Sequence, residues 1–444
     1  MKVYEPGTIP ATGDFRVPGS SGIGNWLRMT RFVASGPTPR RAASPRFIVG
    51  LVSLYAAYAA AAAAQPLVYV TEKHSNAVAV VSTATNTVID NVGVGESPSG
   101  VAATPDGRFV YVVNASDHSN SVSVIDVGTQ RAVDTIAVNL NPLGVAIAPA
   151  GDFAYVSNTG ARSVSVIDTH TNTVIATIGV GLSPAGVAVT PDGRFVYVAN
   201  AQNLQSPAHG DVSLIDTATN KVTITISAGS NPFAVAITPD GDFVYVTNSN
   251  SLDTPGPGSV SVIATATNTV VATVLVGNNP LGVAITPDGQ SVWVTNFNSN
   301  SVTIIDPDTN TVVGTVPVGR GPLGIAITPD GRFVYVANRQ PFTLTAPGDV
   351  SVIDSAARTV VATVPVGENP TSVAIAAMAA AACAGDCDGN GAVTVDELIL
   401  GVNIVLGARA LDACPSFDRN ADGAVTVDEL IAAVTNALSG CPRP

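Results

Sequence analysis

Short apolar runs separated by turn residues recur along the middle of the chain. One copy of the pattern contains the runs Val187–Thr190, Phe195–Ala199, Val212–Ile215 and Val222–Ile226. Each run is short and rich in Val, Ile and Tyr, which is typical of β-strands. Pro-Asp-Gly joins the first two runs and predicts a type I turn, while a segment ending in Asn220 joins the last two and predicts a hairpin. Each copy is therefore predicted to form four strands.

The four runs differ in how much of each strand should be buried. The second run is apolar on both faces, as in Phe195-Val196-Tyr197-Val198, so it requires cover from both sides. The fourth run alternates valine with threonine and contains proline in two copies, at Pro317 and Pro365. Proline is tolerated on an edge strand because no neighbour needs its missing N–H. We therefore expect the fourth strand to lie outermost in each unit.

The pattern occurs seven times, at intervals of 42 to 48 residues. Its most regular part is a Tyr-Val-x-Asn core, which begins at Tyr69, Tyr111, Tyr155, Tyr197, Tyr245, Trp293 and Tyr335. Tryptophan replaces tyrosine in the sixth copy, and the first copy ends in Glu72 instead of asparagine. A four-stranded unit of this length repeated seven times predicts an all-β, seven-bladed propeller over residues 65–376.

The two ends of the repeat region complement each other. The first copy begins at its second strand, Leu67–Thr71, and the last copy stops after a first-type strand, Ser372–Ala376. These two fragments add up to one four-stranded unit. We expect them to pair and close the ring, because closure removes the free edges that an open array would leave.

The repeats resemble the YVTN family of β-propellers, which includes surface-layer and YncE-like proteins of bacteria and archaea. The resemblance is carried by the Tyr-Val-x-Asn core and covers residues 66–376. It implies a binding platform and leaves the ligand unassigned. Some seven-bladed relatives are lactonases, so a secreted lactonase-type hydrolase is the alternative function.

The tail contains two segments that fit the twelve-residue EF-hand calcium loop, Asp386–Glu397 and Asp418–Glu429. Side-chain oxygens are available at positions one, three, five and twelve, and a backbone carbonyl at position seven. The predicted ligands of two Ca²⁺ ions are Asp386, Asp388, Asn390, Ala392 and Glu397 in the first loop, and Asp418, Asn420, Asp422, Ala424 and Glu429 in the second. Thr394 and Thr426, at the ninth position, are candidates to act through water.

An apolar helical pattern follows each loop, with Leu398 and Val402 in the first and Leu430 and Val434 in the second. This duplicated loop–helix unit, residues 383–444, resembles dockerin type I. The resemblance implies calcium binding and attachment to a cohesin-like partner. The sequence departs from the dockerin pattern in closing each loop with glutamate where aspartate is usual. A short linker, residues 377–382, joins this α-helical module to the propeller.

All four cysteines lie in the tail, at Cys383, Cys387, Cys414 and Cys441. An even number in a short segment of an exported chain predicts two disulfides, whereas a reducing compartment would leave four thiols. Four cysteines allow three pairings, and the sequence does not choose among them. Cys383–Cys441 together with Cys387–Cys414 would hold the ends of the module together.

Export is predicted from the amino-terminal segment, residues 1–64. Arg40, Arg41 and Arg46 precede an apolar run, Phe47–Ala64, that ends in small residues. This order is typical of a secretory signal peptide, with a membrane anchor as the alternative. We expect a protein that is secreted, periplasmic or on the cell surface, with no membrane span in the mature chain. Met29 is an alternative start.

Charge narrows the choice of partners. Charged residues make up 12% of the chain and the formal net charge is −13; without residues 1–64 it falls to −18. An acidic surface repels phosphate backbones, so nucleic acid is excluded as a partner. The expected partner is a protein or polysaccharide of the cell envelope, and the expected state is a monomer.

No catalytic motif is found in the propeller sequence. Three long loops between second and third strands, residues 201–210, 249–258 and 339–348, mark the face where partner contact is expected. The histidines are scattered, at His74, His118, His170 and His209. A hydrolase would require His74 and His118 to meet Glu72, Asp117 or Arg320 at the channel mouth. We therefore expect an exported binding or structural protein more than an enzyme.

Overall fold

The computed structural model describes residues 65–116, 119–201, 209–249, 256–339, 347–377, 384–385, 387, 393–418 and 424–439. The predicted signal peptide and most of the linker lie outside these residues, so both stay predictions. Within the residues described, no helix has the length and apolar character needed to cross a membrane.

In this part of the chain, twenty-eight strands form seven antiparallel sheets of four strands, the blades of a propeller. The innermost strands are β4 (Pro98–Ala103), β8 (Pro142–Ile147), β12 (Pro184–Val189), β16 (Pro232–Ile237), β20 (Pro280–Ile285), β24 (Pro322–Ile327) and β28 (Pro370–Ala376). The second strands are β1 (Leu67–Glu72), β5 (Phe109–Ser116), β9 (Phe153–Asn158), β13 (Phe195–Asn200), β17 (Phe243–Asn248), β21 (Val292–Asn296) and β25 (Phe333–Asn338).

The outer half of each blade completes the sheet. The third strands are β2 (Ala77–Ser82), β6 (Ser119–Asp126), β10 (Ser163–Asp168), β14 (His209–Asp216), β18 (Pro257–Ala264), β22 (Ser301–Asp306) and β26 (Pro347–Asp354). The outermost strands are β3 (Thr87–Gly93), β7 (Arg131–Ala137), β11 (Thr173–Gly179), β15 (Lys221–Ser230), β19 (Thr269–Asn278), β23 (Thr311–Pro317) and β27 (Thr359–Glu368). Blade 1 contains β28 and β1–β3, and blades 2 to 7 each contain the next four strands.

The ring closes as the repeat boundaries predict. Strand β28 pairs antiparallel with β1, with Leu67 opposite Ala376, so the two ends of the repeat region share blade 1. The innermost strands contact one another around the whole ring, and β28 lies between β24 and β4. The predicted seven-bladed, all-β propeller with terminal closure is confirmed.

The apolar core lies between blades, not within a single central cluster. Tyr197 and Leu214 of blade 4, for example, pack against Val244 and Val246 of blade 5. The second strands are buried on both faces, whereas the outermost strands expose residues such as Val271, at 53%. The predicted burial of the second strand and the outer position of the fourth are both confirmed.

A hydroxyl group near the end of several second strands ties neighbouring blades together. The Thr247 hydroxyl accepts a hydrogen bond from Ala234 N–H in its own blade at 2.9 Å. It donates to the Leu281 carbonyl of the next blade at 2.8 Å. Thr71, Ser157 and Thr295 make the same bridge. One side chain thus satisfies two backbone groups of two inner strands.

In five of the seven repeats the tyrosine hydroxyl makes a second bond between blades. Tyr111 donates its hydroxyl to Asn172 Oδ1 of the next blade at 2.7 Å, and Tyr335 donates to Asn86 at 2.8 Å across the closure. These asparagines occupy hairpin positions with φ near +52°, a left-handed conformation that asparagine tolerates. Burial raises the pKa of Tyr111 and Tyr335 to about 12, so both hydroxyls stay protonated donors at neutral pH.

The described part of the tail contains two helices, α1 (Val395–Val405) and α2 (Val427–Ser439), with short 3₁₀ turns between them. A disulfide joins Cys387 to Cys414, one of the bonds that the cysteine count allows. Cys414 is fully buried with Phe417 and Ala433 in a small apolar cluster. Cys383 and Cys441 lie outside the described residues, so the second disulfide stays a prediction.

The tyrosine bond predicts a difference between two similar substitutions. Tyr111 and Tyr155 lie in adjacent blades and are both almost fully buried. Of these two hydroxyls, that of Tyr111 has a hydrogen-bond partner among the described residues and that of Tyr155 has none. Tyr111→Phe should therefore lower the free energy of unfolding by about 1 kcal/mol more than Tyr155→Phe. Urea unfolding of the full chain measures both. Equal losses would show that the inter-blade bond contributes nothing.

Candidate functional site

A cavity of about 370 Å³ lies at the centre of the ring, lined by the second to fourth residues of the innermost strands. Its volume lies near the lower end of the range of about 300–1,000 Å³ for small-molecule pockets. All seven inner strands contribute to this concave space. It is therefore the candidate binding site.

Small residues set the width of this cavity. The third residue of the inner strand is glycine in five blades, with Ala234 and Ser372 in the other two. A Cβ placed at Gly282 would lie 2.3 Å from the Leu323 carbonyl oxygen, and one at Gly144 would lie 2.5 Å from that of Ala185. Larger side chains would force the strands apart, because contacts this short do not occur between real Cβ atoms and carbonyls. Close approach of the inner strands thus depends on these residues.

The cavity lining is asymmetric. The second residue of the inner strand is apolar in blades 3 to 7, where Leu143, Ala185, Phe233, Leu281 and Leu323 line the cavity. In blades 1 and 2 this position carries a hydroxyl, on Thr371 and Ser99. One arc of the cavity wall is therefore apolar and the opposite arc is polar.

Two cations lie at the mouth of the cavity, on adjacent blades. Lys73 and Arg339 each follow the last residue of a second strand and both line the cavity. The equivalent residues of the other blades are neutral: Ala115, Thr159, Ala201, Ser249 and Phe297. Two neighbouring blades out of seven thus place positive charge at one side of the opening.

The two cations are partly withdrawn from solvent. Burial lowers the pKa of Lys73, and the nearby Arg339 lowers it further; burial also lowers the pKa of Arg339. Among the described residues neither side chain has an ion pair or hydrogen bond, since the one ion pair found there joins His170 to Asp168. A bound anion would relieve both the mutual repulsion and the loss of hydration.

Glu72 precedes Lys73 and departs from the repeat. In the other blades this position is asparagine, and Asn158, for example, donates to Ser163 and Ser165 of the third strand. Blade 1 has Glu72 there, and alanines replace both serines. The Glu72 carboxylate accepts a hydrogen bond from Gly367 N–H at 2.6 Å. Burial raises the pKa of Glu72, and the hydrogen bonds it accepts oppose the shift.

The residues proposed for a hydrolase do not gather at the cavity. Glu72, His74 and Arg320 are absent from its lining, and His74 and Arg320 are exposed. His170 lies in an exposed hairpin turn. Asp117, His118, the side chain of His209 and most of the three long loops lie outside the described residues. Of the lining residues described, none is a histidine, cysteine, aspartate or glutamate.

Four of the ten predicted calcium ligands are described: Glu397, Asp418, Ala424 and Glu429. The other six, Asp386, Asp388, Asn390, Ala392, Asn420 and Asp422, lie outside the described residues. Among the residues described, no group of three metal-binding side chains comes together. Because most of both loops is outside that set, the geometry of the two sites stays a prediction.

The two described glutamates are buried, and each carboxylate turns back across its own loop. Glu397 is 9% exposed and one carboxylate oxygen accepts from Cys387 N–H at 2.7 Å. The other oxygen accepts from the Thr394 N–H at 2.7 Å and the Thr394 hydroxyl at 2.9 Å. The carboxylate therefore spans the first loop from its second to its ninth position. A carboxylate turned back across its own loop fits a bidentate calcium ligand.

The second loop has the same arrangement around Glu429, which is 6% exposed. Its carboxylate accepts from the N–H and the hydroxyl of Thr426 at 2.8 and 3.0 Å. In the first loop Thr394 is also the N-cap of α1, because Glu397 N–H donates to its hydroxyl in a capping box. The ninth residue thus orients the twelfth, a role that sequence analysis did not assign to it.

The chain is similar to two β-propeller families. The model of the YNCE-like β-propeller family matches residues 249–396, and the model of the seven-bladed lactonase β-propeller family matches residues 171–255. Comparison with curated proteins found no match. The matches agree with the seven-bladed fold and with the resemblance that the repeats carry.

Solved structures share the propeller fold. Hydrazine synthase from Kuenenia stuttgartiensis is 28% identical with a TM-score of 0.58, over 65% of this chain and 92% of that chain. A functionally unknown protein from Desulfotomaculum acetoxidans is 19% identical with a TM-score of 0.56, over 70% and 98%. Dihydro-heme d1 dehydrogenase NirN in complex with DHE is 15% identical with a TM-score of 0.51, over 69% and 74%. At such low identity the last two show the fold alone.

Sequence analysis missed Lys73 and Arg339 as site residues. Each replaces a neutral residue of the repeat, and neither belongs to a catalytic or metal motif. Aligning the seven copies on the final residue of the second strand would have found them. In that alignment Lys73 and Arg339 occupy the position directly after the second strand. They belong to the first and seventh copies, which become neighbours when the ring closes.

Glu72 gives a prediction about the closure of the ring. Glu72→Ala leaves Gly367 N–H without this acceptor and should lower the free energy of unfolding by about 1–3 kcal/mol. Glu72→Gln keeps an acceptor and removes a buried charge, so at pH 7.5 it should be at least as stable as the wild type. Urea unfolding of the full chain measures both.

The pH dependence follows from the raised pKa of Glu72. The folded chain holds this proton more tightly than the unfolded chain, so the effect favours folding below the ordinary glutamate pKa and is lost as pH rises through the folded pKa. Any advantage of Glu72→Gln should therefore shrink from pH 7.5 to pH 4. A glutamine variant less stable than the wild type at pH 7.5 would contradict this.

Proposed function

We propose that the chain is an exported binding protein whose propeller holds a small ligand in the central cavity. The observation that carries this proposal is the cavity itself, with an apolar arc and, at its mouth, two cations that have no ion-pair partner among the residues the structure describes. A ligand there would contact several blades at once. The uniform repeats form a rigid cavity wall. The few residues that differ between blades, such as Lys73 and Arg339, would determine which ligand binds.

Binding is favoured over hydrolysis by the chemistry of the lining. Lactone hydrolysis requires a nucleophile or activated water together with a base. Among the described lining residues, no histidine or carboxylate is present to act as that base. The match to the lactonase family model over residues 171–255 keeps hydrolysis as the second candidate function.

We also propose that the tail binds two Ca²⁺ ions in its two loops and attaches the protein to a cohesin-like partner at the cell envelope. The buried placement of Glu397 and Glu429 supports the calcium sites. The apolar run at residues 47–64 supports export and hence a secreted, periplasmic or cell-surface location. Calcium would add folding free energy to a module whose described core is small.

Equilibrium dialysis tests the binding function. The purified full chain is dialysed against a small-molecule extract of the cell envelope, and compounds retained by the protein are identified by mass spectrometry. At least one compound should be enriched and recovered chemically unchanged. A parallel assay with a panel of lactones should show no turnover above the protein-free blank. If a lactone were hydrolysed and no compound were enriched in dialysis, hydrolysis would replace binding as the proposed function.

The calcium sites predict an effect of matched glutamate and aspartate substitutions. Glu397→Gln with Glu429→Gln removes the carboxylates that turn back across the loops, and should weaken Ca²⁺ binding at least tenfold in calorimetry of the full chain. Asp396→Asn with Asp428→Asn makes the same charge change at exposed neighbours and should retain two ions per chain. Absence of calcium binding by the wild type would refute the sites.

A further inference from the structure

We infer that the central cavity binds a small amphipathic oxyanion, with its carboxylate or phosphate head between Lys73 and Arg339 and an apolar body against the opposite arc of inner strands. This inference rests on the proposed binding function and names the chemistry of its ligand. Four observations support it. The two cations have no ion-pair partner among the described residues, and the hydroxyls of Ser99 and Thr371 already bond to neighbouring strands. The opposite arc is apolar, and the cavity has the size of a small molecule.

Lys73 and Arg339 differ from every other cation that the structure describes. The remaining described lysines and arginines are exposed, whereas these two are half-buried and line the same cavity. The surrounding protein is acidic, with a formal net charge of −13, yet no carboxylate of the described residues pairs with either cation. Two half-buried cations without a carboxylate partner in the described part of an acidic protein favour an anion at this point.

Two hydroxyl groups of the polar arc, on Ser99 and Thr371, are already engaged in the framework. Ser99 donates to the Leu143 carbonyl at 3.0 Å, and Thr371 shares a 2.8 Å hydrogen bond with Thr71. Because each hydroxyl has one proton to donate, these groups cannot donate to a ligand without breaking a bond between strands. Ser372 supplies the third hydroxyl of the described lining and can add one hydrogen bond. The charge of the head is recognised by the ammonium and guanidinium groups, and the planar guanidinium favours a bidentate oxyanion.

The rest of the ligand must be apolar. Leu143, Phe233, Leu281 and Leu323 line the cavity in blades 3, 5, 6 and 7, and Arg339 itself belongs to blade 7. A free inorganic anion would leave this surface exposed to water, whereas an apolar body would cover it. The volume of about 370 Å³ suits a metabolite-sized molecule, and it is too small for a folded polypeptide segment.

Isothermal titration of the calcium-loaded full chain tests this inference with four probes: phenylacetate, its neutral isostere phenylacetamide, acetate and inorganic phosphate. Phenylacetate should bind at least tenfold more tightly than each of the others. Lys73→Gln and Arg339→Gln should each weaken phenylacetate at least fivefold, and Arg339→Lys should weaken it less than Arg339→Gln. Higher salt should also weaken binding, because the cations are only half-buried.

Arg320→Gln is the matched control, since Arg320 is exposed, follows a fourth strand and does not line the cavity. It should leave phenylacetate affinity unchanged, and thermal unfolding should show that every variant is folded. Equal binding of phenylacetamide, or an equal effect of Arg320→Gln, would overturn the role of the cation pair. If inorganic phosphate bound as tightly as phenylacetate, the claim that the ligand has an apolar body would be refuted.

Failure of this inference can be told apart from failure of the proposed function. If no probe binds at 10 mM and the compound that equilibrium dialysis enriches carries neither a carboxylate nor a phosphate, the binding function stands and the amphipathic oxyanion is refuted. If dialysis enriches nothing and the probes do not bind, both the binding function and the amphipathic oxyanion are refuted. A phenylacetate complex lost in Arg339→Gln supports both.

Discussion

The propeller depends on hydrogen bonds that pass from one blade to the next near both ends of the second strand. At one end a hydroxyl such as that of Thr247 joins the inner strands of two blades. At the other end Tyr245 donates to Asn310 of the following blade at 3.1 Å. Valine contacts between blades are non-directional and tolerate small slides, whereas these bonds require one register. They therefore fix how closely the inner strands approach and how wide the central cavity is.

This framework separates the residues that hold the ring from those free to differ. Glycine or another small residue is needed where inner strands meet, and the hydroxyls of Ser99 and Thr371 are used in bonds between strands. The position after the second strand has looser demands. Thr159 there bonds to the Pro184 carbonyl at 2.7 Å, but Ala115 and Phe297 also occur. A lysine or arginine can therefore be placed at the cavity mouth without changing the blade.

The fold could be predicted from the sequence because each blade repeats the same physical signals. Pro317 marked an outer strand, and the unmatched strands at the two ends, beginning at Leu67 and ending at Ala376, indicated closure in one blade. The site was harder to predict, since Lys73 and Arg339 lie far apart in the chain and carry no motif. Only the closed ring makes their blades adjacent. Loop spacing predicts Glu397 as a calcium ligand, and this stays a prediction; its bond to Thr394 depends on helix capping geometry, which the spacing does not show.

The closing blade must compensate for a missing covalent connection. Between β28 and β1 no turn joins the strands, and pairing them closes a loop of about 300 residues, an entropic cost of about 5 kcal/mol. Blade 1 has one additional bond at this point, between the hydroxyls of Thr71 and Thr371. Glu72 accepts from Gly367 N–H of the preceding blade, as Asn248 accepts from Gly229 N–H. The loss of asparagine at position 72 together with its serine partners is then a coordinated change. It removes the bonds within the sheet and keeps the bond to the outermost strand of the preceding blade.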